Sequence, residues 1–135
     1  MARTAAPHPT SSELEILQVI WRRGPSTVRE VYRILAEDRE VGYSTVLKFM
    51  QIMTEKGTLV RDESVRPQLY RAAKPQQQVQ KGIVQDLIDR AFGGSPVTLV
   101  MQALSDGKAN ADERQQIREL LDSLDKPRRA GRNRS

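Results

Sequence analysis

A chain of 135 residues has room for one ordinary domain, or for a small domain joined to an oligomerisation segment. Apolar residues, at 38%, suffice for a core, but no run approaches the ~20 apolar residues that span a bilayer, and Met1 to Pro7 lack the apolar stretch of a signal peptide. The absence of cysteine excludes disulfides, thiolate metal sites and cysteine redox chemistry, and a reducing cytoplasm is the expected location.

Charge is unevenly spread. Residues 1–74 hold 12 Lys/Arg against 9 Asp/Glu, residues 75–125 hold 5 against 8, and residues 126–135 hold 5 cations and no acid. The tail therefore equals the whole net charge of +5. A basic front is suited to nucleic acid, whereas an acidic middle is not.

Residues 1–9 read as a disordered lead, and His8 within it has no companion for catalysis or metal binding. The first helix starts at Thr10-Ser11-Ser12-Glu13, where Thr10 with Glu13 or Ser12 with Glu15 can form a capping box. Leu14, Ile16, Leu17, Ile20 and Trp21 form its apolar face, and Gly24-Pro25 stops it. A second helix starts at Ser26 or Thr27, with Thr27 to Glu30 as another capping box and Val28, Val31, Tyr32 and Leu35 as its buried side. Glu37 to Glu40 form a turn, and Gly42 relaxes the backbone before the third helix.

That third helix carries the most information. Val46, Phe49, Met50 and Met53 fall at i, i+3, i+4 and i+7, one buried stripe, and Gly57 closes it. Ser44, Lys48 and Gln51 lie opposite, with hydrogen-bonding and cationic groups of the kind that read base edges and phosphates. On a lone helix they would be a solvated face. Between a capped second helix and a basic hairpin they read as the outer face of a helix-turn-helix.

Thr58 to Arg61 and Gln68 to Arg71 are short β-prone runs flanking a loop at 62–67, a hairpin carrying Arg61, Arg66 and Arg71. Three helices and a hairpin over 10–73 predict a winged-helix DNA-binding domain. Arg66 near the tip, and Arg61, are candidate phosphate contacts, the alternative being charged residues that keep an edge strand soluble. Tyr43 either packs on the second helix or donates to a phosphate.

Residues 74–125 predict three further helices. Val79, Ile83, Val84, Leu87, Ile88, Ala91 and Phe92 recur at helical spacing up to Gly93-Gly94. Ser95-Pro96 opens a shorter helix with Val97, Val100, Met101 and Leu104, and Asn110 to Glu113 cap a last one with Ile117, Leu120, Leu121 and Leu124. Helices this short enclose little core, so a second copy of the chain is the simplest cover for their stripes. The segment reads as a helical dimerisation arm whose seam includes Ile83, Leu87, Val100, Leu104, Ile117, Leu120, Leu121 and Leu124. Asp86 and Asp89 read as solvated, and residues 126–135 as a basic disordered tail, either a DNA tether or a solubility tail.

The chain resembles the penicillinase-repressor (BlaI/MecI-type) family of bacterial winged-helix repressors over roughly residues 10–125. The matching pieces are Ser11 to Leu17 with Trp21, Thr27 to Val31, Tyr43 to Val46 running to Glu55-Lys56-Gly57, Tyr70-Arg71-Ala72, and Phe92 to Ser95. The resemblance implies a mainly α homodimer that binds a palindromic operator through the third helix and represses transcription. It also implies relief when a membrane metallopeptidase sensor triggers cleavage in the C-terminal arm. Together with the residue reading, it makes Thr27, Tyr43, Ser44, Thr45, Lys48, Gln51, Arg61 and Arg66 the expected DNA contacts. Two departures stand out. Lys48 and Ile52 replace the family's frequent threonine and arginine, so the operator does not carry over. Met101-Gln102-Ala103 is the matching cleavage region, with Gln102-Ala103 where the family has Asn-Phe. Copper-responsive relatives end in a cysteine-rich motif that has no counterpart here.

Two other readings stay open: a winged-helix protein-interaction module, and a small-molecule-sensing regulator of the multiple-antibiotic-resistance type, for which aromatics are few. The sequence offers no phosphate-binding glycine loop, no Ser/His/Asp set and no metal-ligand cluster. No enzymatic activity, metal or cofactor is expected.

Overall fold

Thr10 sets the start of the molecule's first helix, α1 (Ser11–Arg23). Of the two candidate capping boxes, Thr10 with Glu13 is the one formed: the Glu13 N–H donates to Thr10 Oγ1 at 3.2 Å and the Thr10 N–H to Glu13 Oε1 at 3.0 Å. Glu15 instead turns to solvent and pairs with Arg39 at 2.7 Å. Gly24, at φ 93°, ends the helix in a conformation costly for any residue with a Cβ. The computed structural model describes residues 8–127. The expected lead over 1–7 and the tail beyond 127 lie outside the described residues.

Helix α2 (Val28–Ala36) is capped as expected by Thr27, whose Oγ1 accepts from the Glu30 N–H at 3.1 Å while Glu30 Oε1 accepts from the Thr27 N–H at 2.9 Å. Ser26 is not part of the helix start. It exchanges backbone hydrogen bonds with Tyr70 at 3.0 and 2.8 Å, adding a bridge to the hairpin. Helix α3 (Tyr43–Lys56) begins at Gly42 with φ −91°, extended backbone open to any residue. The glycine's freedom, expected from the sequence, is therefore not used there. Gly57 at φ 85° closes α3, and the Thr58 N–H reaches back to the Met53 carbonyl at 2.8 Å, as in a Schellman end.

Strands β1 (Leu59–Asp62) and β2 (Leu69–Ala72) pair antiparallel, with Leu59 opposite Ala72 and Arg61 opposite Tyr70. Both start one residue later than the sequence suggested, around a loop over 63–68. Period-2 alternation buries Leu59 and Tyr70 and exposes Val60 and Arg71. The core forms where these elements meet: Ile16, Leu17, Val19 and Ile20 of α1, Val28 and Val31 of α2, Val46, Met50 and Met53 of α3, then Leu59 and Tyr70. Each fully buried aliphatic side chain contributes on the order of 1.5–3 kcal/mol. Phe49, expected in the stripe, is only partly buried, together with Leu14, Trp21, Tyr32 and Leu35. Val19, unmarked in the sequence reading, is buried instead.

Three helices follow: α4 (Gln76–Ala91), α5 (Pro96–Ser105) and α6 (Ala111–Asp125). The chain divides into two compact units between Gln85 and Asp86, inside α4, whereas the sequence reading placed a boundary at 73/74. The opening turns of α4 belong with the first unit, where the Trp21 indole N–H donates to the Lys74 carbonyl at 3.1 Å. In the second unit, Gly93 and Gly94 at φ 62° and 81° end α4, Ser95 caps α5, and Asn110 with Glu113 forms a capping box on α6. Of its described residues only Ile88 is buried, and Leu124 is 69% exposed.

Candidate nucleic-acid interface

Helix α3 presents two unlike faces because its three inner anchors are fixed. Val46, Met50 and Met53 are buried, so a 100° turn per residue directs Ser44, Thr45, Lys48 and Gln51 outward, and all four are exposed. Ile52 and Glu55 share that outer surface. The sequence reading of the face omitted both; a full helical projection of residues 44–55 places them there. The N-terminus of α3 has no side-chain cap and no acidic residue in its first turn. That arrangement is compatible with a nearby anion.

Tyr43 packs. Its ring meets Tyr32 edge-on at 5.7 Å between centroids, and the Arg29 guanidinium lies 5.1 Å from its centroid. Arg29 and Arg33, four residues apart and both exposed on α2, were absent from the sequence-based set. They line a groove of about 440 Å³ with Thr27, Tyr43, Leu47, Pro67 and Gln68, so α2, α3 and the hairpin loop converge there. Their i, i+4 spacing on a capped helix was the available signal. Thr27 lines the groove while its hydroxyl already accepts the cap hydrogen bond.

The two arginines singled out in the hairpin differ. Arg61 is held by Glu63, with Nη2 at 2.9 Å and Nε at 3.0 Å from Oε2. Hydrogen bonding to the Tyr70 side chain, and next to Glu63, raises its pKa above the ordinary arginine value. Its charge is permanent but partly countered. Arg66 is exposed in the loop, and among the described residues it makes no ion pair. Asp62 accepts from the Ser64 hydroxyl at 2.6 Å and from the Ser64 N–H at 2.9 Å; these bonds hold its carboxyl below the usual range and order the loop's first turn.

The foundation of α3 contains a buried carboxylate that sequence reading treated only as a cap. Glu13 is 3% exposed, and its Oε2 takes the Lys56 ammonium at 2.9 Å, tying the start of α1 to the last turn of α3. A cavity of about 470 Å³ beside this pair is lined by Leu17, Trp21, Lys74 and Val79 among others, none of them on the outer face of α3. Among the described residues no cluster could hold a metal ion, and no helix is long and apolar enough to cross a membrane.

The residues expected at a dimer seam differ in exposure. Ile83, Leu104 and Ile117 are half-buried, whereas Leu87, Val100, Leu120, Leu121 and Leu124 are exposed. Met101, Gln102 and Ala103 are exposed within intact α5.

A three-helix core with an outward polar face on α3 and a hairpin at its flank defines a winged-helix domain, here followed by a helical C-terminal region. The sequence signature of the penicillinase repressor family matches residues 9–123, and the chain belongs to that family. It is therefore a transcriptional repressor of the DNA-binding class, a family of regulators and not of enzymes. No curated protein matches the chain.

Proposed function

We propose that the chain is a homodimer that represses transcription in the cytoplasm by laying α3 in the major groove of each half of a palindromic operator. The observation that supports this most directly is the outward set of Ser44, Thr45, Lys48 and Gln51 on a helix whose opposite side buries Val46, Met50 and Met53. A lysine there can meet the O6 and N7 acceptors of guanine, and a glutamine can pair with adenine. Arg66 at the wing loop supplies a sequence-independent phosphate contact, and Arg29 and Arg33 flank the same groove as Thr27. The exposed apolar side chains of α5 and α6 serve as the seam with a second copy.

Derepression follows from cutting α5 at Met101-Gln102-Ala103. That cut removes Leu104, Ile117, Leu120, Leu121 and Leu124 from the seam, each contributing on the order of 1.5–3 kcal/mol when buried. The trigger is a membrane metallopeptidase sensor or a protease downstream of it. A folded helix resists proteolysis, so the cut requires local opening of the short helix between Gly94 and Gly107. Mass spectrometry of induced cells should find a fragment ending near Gln102; derepression with an intact chain would refute the route.

Lys48→Ala tests the readout. It should weaken operator binding by about 1–3 kcal/mol and relax preference at one base pair of each half-site. Duplex binding insensitive to salt, or absent, would favour the protein-interaction reading.

A further inference from the structure

The outer face of α3 carries one residue whose chemistry does not match its neighbours. Ser44, Thr45, Lys48, Gln51 and Glu55 all offer hydrogen-bonding groups, whereas Ile52 is an aliphatic side chain left 37% exposed. A single exposed isoleucine on an arbitrary surface needs no explanation. Here it stands one turn beyond Lys48, at i+4, so the two side chains are surface neighbours about 6 Å apart along the helix axis. A helix in the major groove meets a floor of donors and acceptors in which the only apolar group is the 5-methyl of thymine.

Resting on the reading that α3 enters the major groove, we infer that Ile52 is a specificity-determining residue that packs against a thymine methyl. A separation of 6 Å spans at most about two base-pair steps of 3.4 Å, so the thymine lies within two pairs of the base met by Lys48. The contact buries one methyl group. The gain is small in one half-site and doubles in logarithm across the palindrome. It also explains how an operator can be discriminated at an A·T pair without a hydrogen bond to it.

The test uses the full-length chain and a duplex enriched from random sequence by binding to it. Each thymine of the enriched duplex is replaced by deoxyuridine, which removes the methyl and leaves the hydrogen-bonding edge intact. One position in each half-site should lose about fourfold in affinity, and about fifteenfold when both are replaced. Ile52→Ala should bind the thymine and uracil duplexes equally while its dependence on the Lys48-proximal base persists. Ile52→Val should keep part of the difference. If no thymine-to-uracil change costs more than twofold, or if the loss is equally large in Ile52→Ala, the contact is overturned while DNA binding by α3 stands. Failure to enrich any duplex would overturn both.

Discussion

Removing the ammonium of Lys56 should cost more than removing the charge of Glu13, because the two partners are unequally buried. Glu13 is 3% exposed and Lys56 keeps 37% of its side-chain surface, so the carboxylate depends on its protein partners and the lysine does not. Lys56→Met keeps most of the aliphatic stem and leaves Glu13 with the Thr10 N–H as its remaining donor. Breaking a fully buried pair in this way costs about 3–5 kcal/mol, and the partial exposure of Lys56 reduces the expectation to about 2–3 kcal/mol. Glu13→Gln retains an oxygen for the Thr10 N–H and lets the lysine return to water, for a loss of about 1 kcal/mol. The double variant should then resemble Glu13→Gln alone. Trp21 is the sole tryptophan and lies in the same unit, so its fluorescence during urea unfolding reports the relevant transition. With a slope of roughly 1.5 kcal/mol/M, Lys56→Met should lower the midpoint by about 1–2 M. Equal losses from the two single variants, adding in the double, would refute the reasoning.

Other expectations concern the wing and the second unit. Arg66→Ala should weaken binding to all duplexes alike and reduce the salt slope by about one unit per arm, as measured by titration at several ionic strengths. Glu63→Gln releases Arg61 from its ion pair, so affinity should rise and the salt slope steepen in the same measurement. Asp62 has its folded-state pKa lowered by Ser64, so its contribution to wing order is present above the unfolded value of about 3.9 and is lost as pH falls through the lower folded value. Acid titration followed at the Ser64 amide should show that loss, and Ser64→Ala should move the Asp62 midpoint upward. A chain ending at Gln85 keeps the first compact unit and removes α5 and α6. It should sediment as a monomer and bind operator far more weakly, since two half-site contacts no longer reinforce each other.

Local rules determined much of the molecule before any contact was known. The capping residues Thr27, Ser95 and Asn110, and the stops at Gly24, Gly57 and Gly94, act within one turn of their own position, so sequence spacing was enough to find them. The outward placement of Ser44, Lys48 and Gln51 followed from the apolar period of α3 alone. Contacts between distant segments were not legible. Either candidate box suited the first helix on local grounds, and Lys56, 43 residues away, is the long-range partner that Glu13 acquires. Ser26 looked like a helix start until Tyr70 supplied a strand partner. Arg29 and Arg33 join Thr27 and Gln68 around one groove only because α2 packs beside the hairpin. Periodicity and capping are properties of one segment in water, whereas burial, ion pairing and bridge formation depend on which segments tertiary packing places side by side.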